Sequence, residues 1–182
     1  MADLTTLAAV KGWLGITTSA DDATLARLIT AASGYIEQWT NRHFSSQQFT
    51  EVRDGTGSAV MVFADYPVTA VQSVVINGNA ITPSPGYGQA GYSYDTSTIR
   101  LTGYLFDKGR GNVRLTYTAG YAVTPPEIEQ ACIELVALRY KERDRIGHQS
   151  KSLAGETVTF IVRDFPDSVR TILGNYKKVV PL

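Results

Sequence analysis

Gly86, Gly88 and Gly91 stand at the spacing G-x-G-x-x-G, the pattern that lets a backbone approach a pyrophosphate. That chemistry needs a strand before the glycines and a helix after them, so that the helix N-terminus can hold the anion. Here Pro83-Ser84-Pro85 precedes and Tyr92-Ser93-Tyr94 follows, so the stretch reads as a surface loop. The two histidines, His43 and His148, are far apart and have no Cys or His partner at ligand spacing, so no metal site is expected. Cys132 falls on the apolar face of a helix, where a thiol packs and does not attack. No serine sits in a G-x-S-x-G elbow. Asp21-Asp22, Glu127, Glu129 and Glu134 lie near helix starts, where the dipole accounts for carboxylates. No catalytic residue and no cofactor is expected.

Composition narrows the classes further. The chain has 182 residues and is 43% hydrophobic, enough for a real core in one domain or a domain with an inserted subdomain. Net charge is zero, which argues against a dedicated nucleic-acid binder and leaves copies of the chain free of strong mutual repulsion. A single cysteine fits a reducing cytosol as the place of synthesis. No signal peptide or membrane span is expected.

The elements that carry these residues follow from periodicity. A helix from about Thr5 to Leu14, capped by Asp3 or Thr5 and stopped by Gly15, turns Leu7, Val10 and Leu14 to one side with Trp13 beside them. A second runs from Ser19–Asp22 to about Asn41, with Leu25, Leu28, Ile29, Ala32, Ile36 and Trp39 on its apolar face. From Ser45 the period becomes two, and about six short strands are expected, with Asn77-Gly78 the strongest hairpin signal. The last of them, Val113 to Thr118, breaks at Ala119-Gly120-Tyr121. The chain restarts at Pro125-Pro126 as a helix to about Arg145, with Ile128, Ala131, Cys132, Leu135, Val136 and Leu138 inward. The polar stretch Ser150 to Glu156 reads as a tether for the β-prone run Thr157 to Val162. That run either pairs with an exposed strand of another chain or folds back onto its own sheet. A final helix spans Asp167 to Tyr176. The expected class is α+β: a bundle of about four helices from residues 1–45 and 119–182, with an antiparallel β subdomain inserted at 46–118.

Three stretches together carry a resemblance. The first is Leu7-x-x-Val10-Lys11-x-Trp13-Leu14, then Asp21-Asp22, Leu25-x-x-Leu28-Ile29-x-x-Ala32-Ser33-x-x-Ile36-Glu37 and Thr40-Asn41-Arg42-x-Phe44. The second is Tyr117-Thr118-Ala119-Gly120-Tyr121 with Val123-x-Pro125-Pro126, Ile128-x-x-Ala131-Cys132-x-x-Leu135-Val136 and Arg139-Tyr140. The third is Ser150-x-Ser152-Leu153-Ala154-Gly155-Glu156-x-Val158-x-Phe160. In this order they resemble the head-to-tail connector proteins (adaptor or head-completion proteins) of long-tailed double-stranded DNA bacteriophages. Simpler members are mostly helical, and the block Gln47 to Thr118 is a departure. The resemblance implies a structural protein of the virion neck, made in the bacterial cytoplasm and monomeric in isolation. It implies a ring, dodecameric in the virion, that binds the portal, extends the DNA channel without sequence-specific binding and docks the next neck or tail-completion protein.

On this reading Arg139, Tyr140, Lys141, Arg143, Arg145, Lys151, Val158 and Phe160 are candidates for a subunit or portal interface. The mixed signs of Lys141 to Arg145 equally suit a solvated helix end. Lys108 and Arg110 face either a channel or water. The alternative function is a carbohydrate- or surface-binding β module, prompted by Tyr66, Tyr87, Tyr92, Tyr94 and Tyr104, since exposed aromatic rings stack on sugars.

Overall fold

The computed structural model describes residues 2–143, 150–153, 156–159 and 165–178. Four helices and nine strands lie along these residues, seven of the strands in one run between the second and third helices, and the fold is α+β. The chain forms two compact units, one from Met1–Arg42 with Thr124–Leu182 and the other from His43–Val123.

The first unit is helical. Its helices are α1 (Leu7–Leu14), α2 (Asp22–Thr40), α3 (Pro126–Glu142) and α4 (Asp167–Tyr176). Helix α1 is capped by Thr6, whose hydroxyl accepts the Ala9 N–H at 3.2 Å, and not by Asp3 or Thr5. Thr5 is buried, with its hydroxyl 3.3 Å from a Glu129 carboxylate oxygen. Gly15 ends α1 in the left-handed conformation, and Asn41 ends α2 in the same way. Helix α3 begins at Pro126, where the missing N–H costs nothing. Leu25, Ile29, Ala32 and Ile36 of α2 meet Ile128, Ala131, Cys132, Leu135 and Val136 of α3 in a buried core, which Val169 and Leu173 of α4 complete. Leu138 is only half-buried, while Ile133 and Ala137 are buried as well, because α3 has neighbours on more than one side. Trp13 is 57% exposed and lies outside this core.

The second unit is a small closed sandwich. Strands β1 (Gln47–Gly55), β7 (Gly109–Ala119), β3 (Val68–Ile76) and β4 (Asn79–Ile81) form one antiparallel sheet in that spatial order. Strands β2 (Val60–Val62), β6 (Thr98–Thr102) and β5 (Gly91–Tyr94) form the other. Strand β7 starts at Gly109, so Arg110 lies in a strand and not in the preceding loop. Val113, Leu115, Tyr117 and Ala119 alternate inward from β7 and meet Met61, Phe63, Val74, Ile99, Leu101 and Phe106. Asn77-Gly78 turns the β3–β4 hairpin with both residues at positive φ, 51° and 82°.

Two seams join the sheets. On one side Pro83 bridges Tyr92, with the Tyr92 N–H donating to the Thr82 carbonyl at 3.0 Å. Gly91, at φ 142°, is required there, since a Cβ would sit 2.6 Å from the Ser84 nitrogen. On the other side the Glu51 carboxylate accepts the Ala64 N–H at 3.0 Å, and the Arg53 guanidinium donates to the Val62 carbonyl. Gly120, at φ 110°, lets the end of β7 pass Ser45, whose carbonyl oxygen would lie 2.4 Å from an added Cβ.

Past α3, β8 (Ser150–Leu153) and β9 (Glu156–Thr159) form an antiparallel pair. The stretch expected as a tether is therefore partly a strand.

Candidate interaction surface

Helix α3 ends in the candidate residues Arg139, Tyr140 and Lys141, with Arg143 just after it, and Arg139, Tyr140 and Arg143 are engaged within the helical unit. The Tyr140 hydroxyl donates to the Asp21 carboxylate at 2.6 Å, which pushes the phenol pKa up. The Arg143 guanidinium stacks 4.0 Å over the Tyr140 ring and donates to the Tyr140 carbonyl at 2.9 Å. The Arg139 guanidinium lies 5.2 Å from the Tyr35 ring centre. Lys141 is exposed. The end of α3 is thus braced against both the start and the middle of α2, and keeps exposed cationic edges.

A second cluster adjoins it. Phe165 is buried, stacks on Tyr35 with centroids 4.8 Å apart and meets the Trp39 ring edge-on at 5.7 Å. The Lys177 ammonium lies 4.8 Å from the Trp39 ring. Glu134 accepts the Ser168 hydroxyl at 3.0 Å, and Glu127 accepts the Tyr176 hydroxyl at 3.2 Å. These bonds hold α4 along α3. Neither Phe165 nor Tyr35 stood out in the sequence, because their meeting depends on a return of the chain across 130 positions.

Of the other candidates, Lys151 and Val158 are directly opposite one another across the β8–β9 pair. Arg145 and Phe160 lie outside the described residues, as does His148. Lys108 and Arg110 are both exposed in the β unit, with the Lys108 stem lying over Gly57. They belong to the β unit, and the residues at the end of α3 to the helical unit.

The residues tested for chemistry find local structural roles. The glycine-rich loop has the Ser84 hydroxyl within reach of the Gly86 and Gln89 carbonyls, at 2.7 and 2.9 Å, and leads into a strand. His43 pairs through Nδ1 with Asp65 at 2.9 Å. Cys132 is buried 3.7 Å from the Ser33 hydroxyl, and burial pushes its thiol up to about 11. Among the described residues, no group of three or more His, Cys, Asp or Glu is placed to hold a metal. No helix among them is long and apolar enough to cross a membrane. The five tyrosines considered for sugar stacking are dispersed. Tyr92 is buried, Tyr66 half-buried, and Tyr87, Tyr94 and Tyr104 exposed. Tyr104 and Leu105 rim an open cleft of about 780 Å³ at one end of the sandwich, floored by Ile76, Ile81 and Leu101. Its one carboxylate, Asp107, already accepts from the Asn77 amide at 3.0 Å.

Likeness to known proteins decides the family. The model of the head completion proteins matches residues 3–179. The chain belongs to the head completion protein family.

Solved structures show how widely the fold is shared. A chain in the neck of an empty gene transfer agent particle, with C6 symmetry, is 20% identical at a TM-score of 0.63. The match covers 98% of this chain and 92% of that one. A chain in the neck of the native particle, with C12 symmetry, is 18% identical at a TM-score of 0.62, covering 100% and 96%. A chain in the native gene transfer agent virion gives 19% identity and a TM-score of 0.63, covering 98% and 92%. The head completion fold of this chain, β unit included, is therefore shared with neck chains over nearly their whole length. No curated protein matches the sequence.

Proposed function

We propose that this head completion protein is a non-enzymatic, structural part of a virion neck. Twelve copies form a ring beneath the portal, extend the DNA channel and present a surface to the next neck or tail-completion protein. The observation that carries this reading is the end-to-end match to neck chains of particles with sixfold and twelvefold symmetry, joined to membership of the family. The absence of net charge is in keeping with DNA that passes through without being held by its phosphates.

On this reading the protein is made in the bacterial cytoplasm and resides in the neck. The end of α3, with Arg139, Tyr140, Lys141, Arg143 and Arg145, and the strands carrying Lys151 and Val158 ahead of Phe160 supply contacts to a neighbouring copy or to the portal. Lys141 is the cleanest probe, because Arg139, Tyr140 and Arg143 also brace the helices. Lys108 and Arg110 are the candidates to face the channel.

Electron microscopy of the protein mixed with its portal tests the reading. A twelvefold ring of density beneath the portal is expected, and Lys141→Glu should reduce its occupancy. Portal particles without added density would overturn it. A monomeric elution profile of the isolated protein bears on neither outcome, since the portal supplies the template.

A further inference from the structure

Helix α3 ends at Glu142 and the chain is next anchored at Phe165. Both ends of this excursion are held by the helical unit, one by Arg143 over the Tyr140 ring and the other by Phe165 against Tyr35 and Trp39. Between them β8 and β9 pair with each other, Ser150 opposite Thr159 and Leu153 opposite Glu156. Among the described residues neither strand pairs with either sheet of the β unit.

A two-stranded ribbon is marginally stable at best in water, and three or more strands are needed for independent stability. Among the described residues no further strand lies beside either outer edge, and the N–H and C=O groups of a bare edge template pairing with another strand. Four-residue strands are too short to recruit a partner strongly by themselves. They become effective when many copies are held side by side, because pairing is then intramolecular within the assembly.

The two free edges are not equivalent. One belongs to β8 and the other to β9. An identical copy can therefore lay its β8 antiparallel against this β9 and still leave its own β9 free for the next copy. Such a head-to-tail contact repeats until rotation closes it into a ring, and closure removes every open edge. Pairing of β8 with β8 would instead stop at two copies. The zero net charge of the chain sets up no strong repulsion between neighbours.

We propose that the β8–β9 hairpins of adjacent copies pair β9 to β8 and form one continuous antiparallel band around the ring; this rests on the ring-forming reading above. With strands about 4.8 Å apart and tilted by about 40°, a twelvefold band would measure roughly 50 Å across. Such a band encircles a lumen and does not plug it.

Hydrogen exchange of the full-length protein, free and assembled on its portal, reads the band directly. Amides of residues 150–159 should exchange at least tenfold more slowly in the ring than in the monomer. A ring seen by electron microscopy whose hairpin amides exchange at the monomer rate would overturn the band and leave the neck assignment standing. Absence of any ring would overturn both. Protection from pairing with the portal is separated by mixing two sets of chains, each chain with one added cysteine, before assembly and mild oxidation. One set is substituted in turn at Ser150, Lys151, Ser152 and Leu153 and the other at Glu156, Thr157, Val158 and Thr159, so that every register between neighbouring β8 and β9 is sampled. The band predicts a disulfide-linked pair of the two different chains. Slowed exchange without that pair would assign the hairpin to the portal and overturn the band.

Discussion

The two units solve the same problem from opposite chain arrangements. The β unit is one continuous run, His43–Val123, whose core comes from strands joined mostly by short turns. The helical unit is assembled from both ends of the chain. The apolar stripe of α2 meets α1 beside it in sequence, but its main cover is α3, some ninety positions later, and α4 closes the pair later still. The contrast shows that an inserted subdomain need not disturb its host, provided each unit keeps its own core. It also shows that the polar bonds of the two units do different work. In the helical unit, tyrosine and serine hydroxyls on glutamates and aspartates align separate helices. In the β unit, Glu51 and Tyr117 seal a seam where no ladder runs.

The sharpest way to break this comparison is to separate the units. The fragment 43–123 is expected to fold alone with a cooperative thermal transition, whereas the fragment 1–42 should lack stable structure, as circular dichroism will show. A structureless 43–123 fragment would mean that the β unit depends on its host.

Leu135→Ala opens a cavity in the helical core and should cost about 2–5 kcal/mol. Both tryptophans, Trp13 and Trp39, belong to the helical unit, so their fluorescence in a denaturant titration reports that loss selectively. If far-ultraviolet dichroism and tryptophan fluorescence shift together by the same amount, the units unfold as one body.

A smaller effect is expected from Tyr117→Phe. The fully buried Tyr117 hydroxyl donates to Glu51 and accepts the Asp65 N–H at 3.1 Å, and burial pushes its pKa well up. Its removal leaves two part-buried partners short of a bond and should cost about 1–3 kcal/mol. The change should appear in the dichroism of the β unit and leave the tryptophan signal in place.

The smallest expected effect is a change of pH slope. The Asp95 carboxyl is held down to about 2, first by the Thr98 hydroxyl and then by the Ser97 and Thr98 amides. A depressed carboxyl contributes stability that is present above its ordinary value near 3.8 and is lost as pH falls toward 2. Asp95→Ala should flatten the fall in melting temperature of the β unit across that window and leave the slope above it unchanged. An unaltered slope would show that the turn at Asp95 contributes nothing to acid sensitivity.

The readings made from sequence divide along a physical line. The final helix, Asp167–Tyr176, has the bounds that its periodicity and Pro166 dictate, and the Asn77-Gly78 hairpin turns where expected. Both signals lie within a few residues of one another. The inward face of α3 was legible for Ile128, Ala131, Cys132, Leu135 and Val136. It was incomplete at Ile133 and Ala137, because periodicity reports one stripe and α3 packs against more than one neighbour. The cap of α1 is Thr6 and neither Asp3 nor Thr5, since short polar residues all suit the role locally and a tertiary bond to Glu129 engages Thr5. Trp13 stands outside the core, where its position on the helix alone did not place it.

The sequence by itself determined the order of the elements, the change from helical to strand period, the turns, and that the G-x-G-x-x-G spacing leads into a strand-like run and not a helix. The motif order also carried the resemblance to connector proteins, and the family match bears it out. Tertiary structure alone decided that Phe165 closes on Tyr35 and Trp39, that Gly91 serves a seam, and that the charged end of α3 is braced by Asp21 and Tyr35. The reason is distance along the chain. Period and turn chemistry are properties of near neighbours, whereas these contacts join residues whose proximity exists only once the helices and sheets have packed.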